Sequence, residues 1–235
     1  MAIKTTIAMI ALLLSSCGGS DVEVGERAGA EYFPGAVGAT WTYEATTWTE
    51  PGSWSTTFTV PGMADVGGKH VWVFKESNRT KHGGAYETYF AKEDGAVTFL
   101  GNSPTFDFMM EAAPWELLRS DGAFGSAPLL ELKQIHAVTD QRGTEETIDL
   151  KIVGTRGEDE TITTSAGTFT ARRFDYSFIA TRPGPSGSYQ DQHLLTEWRA
   201  RGVGLLRQKY STGVQFGSIN WDKQLVSYSI PSARP

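Results

Sequence analysis

Asp191 and His193 stand two residues apart in Tyr189-Gln190-Asp191-Gln192-His193, where a carboxylate and an imidazole could come together near a groove as a general acid–base pair. Such a pair also needs a nucleophile, and the surrounding residues imply none: Pro183-Gly184-Pro185-Ser186-Gly187-Ser188 reads as a loop, and His193 as the start of a strand. The remaining histidines, His70, His82 and His136, are far apart, and none lies at zinc-ligand spacing from a histidine, cysteine or carboxylate. The acidic run Glu158-Asp159-Glu160 follows Gly157 and precedes a Thr-rich strand, so it reads as a solvated hairpin tip rather than a calcium loop. The chain has no Gly-x-Ser-x-Gly elbow, phosphate loop or dinucleotide fingerprint. The expectation is a protein that is not an enzyme and that uses no metal or cofactor.

Cys17 is the residue with a definite chemistry. It is the only cysteine, so it can make no internal disulfide. Before it come Met1-Ala2-Ile3-Lys4, the apolar run from Ile7 to Leu14, and the small residues Ser15 and Ser16. That apolar run has the length of a secretory leader, which needs about 7–15 residues, and falls short of the ~20 that cross a bilayer. Leu14-Ser15-Ser16-Cys17 resembles the bacterial lipobox at all four positions. The resemblance implies cleavage before Cys17 and acylation of that cysteine, and two or more acyl chains make a stable membrane anchor. Gly18 stands where enterobacterial lipoproteins retained in the inner membrane carry Asp, which favours the outer membrane.

These features divide the chain into a signal peptide over 1–16, an acylated cysteine and flexible tether over 17–30, and a single β-rich domain over 31–235. The tether is small, polar and acidic, with no pattern able to bury an apolar face. Of the 235 residues, 219 remain once 1–16 are removed; with Lys4 gone, the 21 basic residues become 20 against 27 acidic ones, a formal charge of −7. That sign argues against nucleic acid or anionic lipid as a partner, leaving the membrane to be held through the lipid anchor.

From Glu31 onward the texture is all-β: short segments rich in Thr, Val, Tyr, Phe and Trp, divided by Gly, Pro, Asn and Asp. Strands are expected over Thr40–Trp48, Ser55–Val60, His70–Ser77, Ala85–Lys92, Ala96–Leu100, Glu145–Val153, Glu160–Thr164, Thr168–Ile179, His193–Ala200, Gly204–Tyr210 and Asp222–Ile230. Within 107–120 Pro114 limits any helix to about Ala113–Ser120, because proline is tolerated only in a first turn. The region 101–128 reads as a loop or flap across an open end of the sheet. One internal echo is visible: Glu87–Val97 and Thr196–Leu206 share a strand, glycine turn and strand order. The 7 Trp, 8 Tyr and 12 Phe are first a packing resource, yet on a sheet with one uncovered face they could line a groove.

Three phrases carry a wider resemblance. Tyr32-Phe33-Pro34 through Gly38, Trp41 and Tyr43, then Thr164-Ser165-Ala166-Gly167-Thr168-Phe169, then Glu197-Trp198-Arg199-Ala200-Arg201-Gly202-Val203-Gly204-Leu205, resemble in order the phrases of a group of uncharacterised bacterial lipoproteins. Ser165 stands where that group usually has proline. The group is similar to the half-barrel of periplasmic lipoprotein carriers, which implies an antiparallel curved sheet around an apolar groove, partly closed by a short helix or flap. Pro34, Gly35 and Gly38 would set an opening turn, Trp41 and Tyr43 would share a face, and Gly167 would permit a hairpin. The function implied is a non-enzymatic binding module for an apolar ligand or acyl chain; the alternative is a structural or assembly lipoprotein that docks another envelope protein. Beyond Cys17, no ligand-binding residue is singled out.

Overall fold

The computed structural model describes residues 29–48, 50–66, 68–80, 83–93, 96–102, 115–118, 129–138, 145–184, 187–212 and 220–231. Cys17, the leader 1–16, His82 and most of the tether and of the 101–128 region lie outside them. A 3₁₀ turn, Gly29–Tyr32, takes in the last two residues of the expected tether. Twelve strands follow: β1 Thr40–Thr47, β2 Ser53–Val66, β3 Lys69–Thr80, β4 Gly83–Glu93, β5 Ala96–Asn102, β6 Trp115–Leu118, β7 Leu130–Val138, β8 Glu145–Thr164, β9 Gly167–Gly184, β10 Gly187–Ala200, β11 Gly204–Thr212 and β12 Asn220–Ser229.

All twelve belong to one antiparallel sheet, in the order β6-β5-β4-β3-β2-β1-β12-β11-β10-β9-β8-β7. It is two six-stranded meanders joined where β1 pairs with β12, and it is not closed, since β6 and β7 are its edges. The echoing hairpins of the sequence, β4–β5 and β10–β11, are the fourth and fifth strands of the two meanders. The sheet is curled: Phe169 on β9 reaches Tyr228 on β12, three strands away, with ring centroids 6.2 Å apart. A period of two gives each strand one inward face. On β1, Trp41, Tyr43 and Ala45 are buried. Trp41 and Tyr43 join Val60, Phe74, Phe90, Leu150, Ile152, Phe174, Tyr176 and Leu225 in one core on the concave side, and Phe58 packs against it.

Four local expectations are corrected. Trp115–Leu118, expected within a short helix, is strand β6, with Phe99 opposite Trp115 and Val97 opposite Leu118. So short a helix cannot repay its nucleation, whereas pairing with β5 satisfies the same backbone, and a proline just before a strand costs no ladder bond. Glu158-Asp159-Glu160 is not a hairpin tip: the two strands expected over 145–164 are one, β8, and the tip lies at Ser165-Ala166. Arg156 pairs with Phe174 and Asp159 with Arg172, so Gly157 and Glu158 oppose Arg173 alone, a bulge that bends a strand. Beyond it the β8–β9 hairpin continues past the end of β10 and leans over the concave side as far as Tyr228. Finally, β7 was not among the expected strands, and the expected loop 183–188 shortens to a tight hairpin because β9 runs to Gly184 and β10 begins at Gly187.

Candidate ligand-binding face

The concave face has two unlike halves. One is filled by the N-terminal segment. The 3₁₀ turn delivers Tyr32 and Phe33, both buried, onto the sheet. The Phe33 ring lies 4.7 Å from Phe74 and 4.4 Å from Phe90, with the Arg199 guanidinium 4.8 Å from its centroid. Tyr32 meets Phe174 edge-on at 5.6 Å. Polar contacts also hold the segment: Gly202 N donates to Glu31 O at 2.8 Å, Arg199 to Tyr32 O at 3.5 Å, and Arg201 reaches the Tyr32 hydroxyl at 3.1 Å and the Glu31 carboxylate at 3.3 Å. Behind it, Trp41 Nε1 donates to Val203 O at 2.7 Å and the Tyr43 hydroxyl to Leu205 O at 3.0 Å. Gly204 has φ +92°, and a Cβ there would stand 3.1 Å from Pro34 Cδ, so only glycine fits on both counts.

The three phrases singled out in the sequence therefore meet in space. The Tyr32–Tyr43 phrase packs on the Glu197–Leu205 turn, and the Thr164–Phe169 hairpin tip comes over β12 beside them. Their roles are turn and core, as expected of glycines and aromatics at strand spacing.

In the other half, register lays side chains in rows across the sheet. One row runs Phe174, Glu197, Gln208, Lys223, Ala45, Trp54 through β9, β10, β11, β12, β1 and β2. The next runs Tyr176, Leu195, Tyr210, Trp221, Thr47, and a third runs Ile152, Phe178, His193, Thr212. Phe178, Leu195, Tyr210, Trp221, His193 and Trp54 are all half-buried. Tyr210 stacks on Trp221 at 4.2 Å and 17°, and its hydroxyl is 2.5 Å from His193 Nδ1.

Beneath these aromatics lies a set of buried charges that the sequence reading did not find. Lys223 on β12 pairs with Glu76 on β3 across the intervening β1 and β2, and Thr56 Oγ1 donates to the same carboxylate at 3.1 Å. Lys223 is 2 % exposed and lies 5.5 Å from the ring centres of Phe58 and Trp221. Trp221 Nε1 donates to Gln208 at 3.3 Å, Gln208 to Glu197 at 2.8 Å, and Arg199 Nε to Glu197 at 2.8 Å. A polar thread thus runs from Trp221 to Arg199 and so to the carbonyl of Tyr32. Burial opposes the Arg199 charge, but Glu197 together with the Tyr176 and Tyr43 hydroxyls holds the guanidinium above its ordinary value. Burial also pushes both tyrosines up. The signal for this was legible: Leu195, Glu197 and Arg199 share a strand face by alternation, so an apolar residue there carries two charges inward with it.

Asp191 and His193 do share that inward face. Asp191, however, stands 3.0 Å from Arg182 in a buried ion pair, and His193 turns to Tyr210. Burial lowers the His193 imidazole, with Asp191 working against that shift and Arg182 with it. His70 is on the surface, 3.0 Å from Asp65. Among the described residues no three His, Cys, Asp or Glu side chains group as metal ligands, and no helix is long and apolar enough to cross a membrane. Chemically, the half-buried rows offer an apolar and aromatic surface over a floor whose charges are already matched to one another.

No family model and no curated protein matches the chain. Among solved structures it is similar to a provisionally named lipoprotein from Parabacteroides distasonis ATCC 8503, with a TM-score of 0.54 and 14% identity over 84% of this chain and 98% of that one. A provisionally named exported protein with a YmcC-like fold from Bacteroides fragilis NCTC 9343 gives 0.48 and 12% over the same shares. At 14% identity the first likeness is one of fold.

Proposed function

We propose that this chain is a bacterial envelope lipoprotein, anchored through Cys17 with the outer membrane favoured, whose concave sheet binds an apolar ligand such as an acyl chain without catalysing a reaction. One observation carries the binding half: Phe178, Leu195, Tyr210 and Trp221 form half-buried inward rows on a face whose other half is already packed by Tyr32 and Phe33. An acyl chain gains about 0.8 kcal/mol per methylene on leaving water, so such rows could hold one without any charged contact. The lipobox supports the anchor, and fold likeness to a chain named as a lipoprotein is in keeping with it.

Mass spectrometry of the protein purified from the membrane fraction reads both halves. The expected result is an N-terminal peptide beginning at diacylglyceryl-modified Cys17, together with an acyl lipid that extracts from the native protein. An unmodified Cys17 within an intact leader defeats the anchor. A lipid-free protein that takes up no apolar probe defeats the ligand. Docking to another envelope protein is the second reading, favoured by Trp48, which is 85 % exposed at the end of β1 away from Tyr32 and Phe33. It predicts a stable complex in a detergent pull-down that Trp48→Ser loses.

A further inference from the structure

The N-terminal segment differs from the rest of the core. It belongs to no strand, lies across the concave face rather than within the sheet, and brings two aromatic rings onto a surface of Phe74, Phe90, Phe174 and Arg199 supplied by strands distant in sequence. Its backbone is tied to the sheet through Gly202 N to Glu31 O and Arg199 to Tyr32 O, and Arg201 on the surface adds contacts to the Tyr32 hydroxyl and the Glu31 carboxylate. The geometry is that of a bound peptide that happens to be covalently continuous with β1. The Phe33 site is also continuous with the half-buried rows: Arg199, stacked on Phe33, is joined through Glu197 and Gln208 to Trp221.

We propose that the pocket filled by Tyr32 and Phe33 is a subsite of the ligand-binding face, that residues 29–34 occupy it as an internal ligand, and that a long acyl chain entering over Phe178, Leu195 and Trp221 displaces them. This rests on the binding reading above. Displacement exchanges one apolar occupant for another and breaks no sheet ladder, because the segment contributes no strand. It leaves behind Arg199, whose charge is still met by Glu197. Acyl binding would thereby free the stretch that leads to the tether and Cys17, coupling occupancy of the face to the slack of the anchor. A chain too short to reach from the half-buried rows to Phe74 and Phe90 would bind without releasing it.

The test uses the mature chain from residue 18, exported behind a cleavable leader, which contains no cysteine of its own. Glu31→Cys with Arg201→Cys, at positions whose longer native side chains meet at their tips at 3.3 Å and are about half exposed, is bridged by a short bis-methanethiosulfonate; the bridged, oxidised form locks the segment down and reduction frees it. The probes are palmitate and the fluorescent fatty acid cis-parinaric acid. The expected result is that the oxidised lock weakens binding by roughly tenfold or more and that reduction restores it, as follows when only the unlatched fraction is competent. Tyr32→Ala with Phe33→Ala should bind more tightly than the parent if it remains folded by near-ultraviolet dichroism, and the lock decides the matter if it does not. Equal binding by the oxidised and reduced forms overturns the latch while the ligand reading stands. No binding by either form overturns both.

Discussion

At the end of the concave face that holds Phe33, backbone carbonyls are met by side-chain donors, and the space is filled with rings in edge and tilted contact. At the other end, charges are met by charges, Glu76 by Lys223 and Asp191 by Arg182, and the rings above them are only half-buried. A filled end can be built from apolar residues that tolerate one another loosely. A charged floor cannot, because each group removed from water must find its partner or cost several kcal/mol. The difference teaches that the same sheet carries one half specified by volume and another specified by pairing.

The pairing half should break hardest. Lys223→Met leaves Glu76 buried without its cation and should cost about 3–5 kcal/mol, whereas Glu76→Gln with Lys223→Met should recover most of it. Urea denaturation of both variants measures this, and a double variant no better than the single one would show that the floor depends on packing instead. A smaller effect is expected at the filled end. Trp41→Phe removes the bond to Val203 O but keeps an aromatic ring, a loss of about 1–2 kcal/mol. The smallest effect concerns His193. Because burial holds its imidazole below the ordinary value, the folded protein keeps it neutral where the unfolded chain binds a proton. Stability should therefore rise with pH up to about 6.5, the unfolded value, and His193→Gln should flatten that part of the curve in a pH series of denaturations.

The β class was legible because alternation is a property of single strands: Trp41, Tyr43 and Ala45 announce one buried face from spacing alone. The glycine turns were equally legible, since Gly38 and Gly167, read as turn residues, both sit at positive φ. What was not legible needed two strands at once. Lys223 and Glu76 are 147 residues apart, and nothing local distinguishes them from solvated charges until β12, β1, β2 and β3 are laid side by side. The bulge at Gly157-Glu158 was missed for a similar reason: glycine followed by three acids looks like a turn, and only the partner strand makes it the middle of β8. Strand β6 was missed because a proline and four apolar or acidic residues fit a helix start as well as an edge.

The joint between β1 and β12 has a consequence for how the molecule comes into being. Within each meander every strand pairs with its sequence neighbour, so both can form as the chain emerges. The seam that unites them needs residues 220–229 against residues 40–47, and so it waits until the whole of the second meander has been made. Until then β1 presents an unpaired edge, rich in Thr, Trp and Tyr, to everything else in the compartment. A newly made copy therefore passes through a stage in which a chaperone, or a neighbouring copy, competes with its own β12.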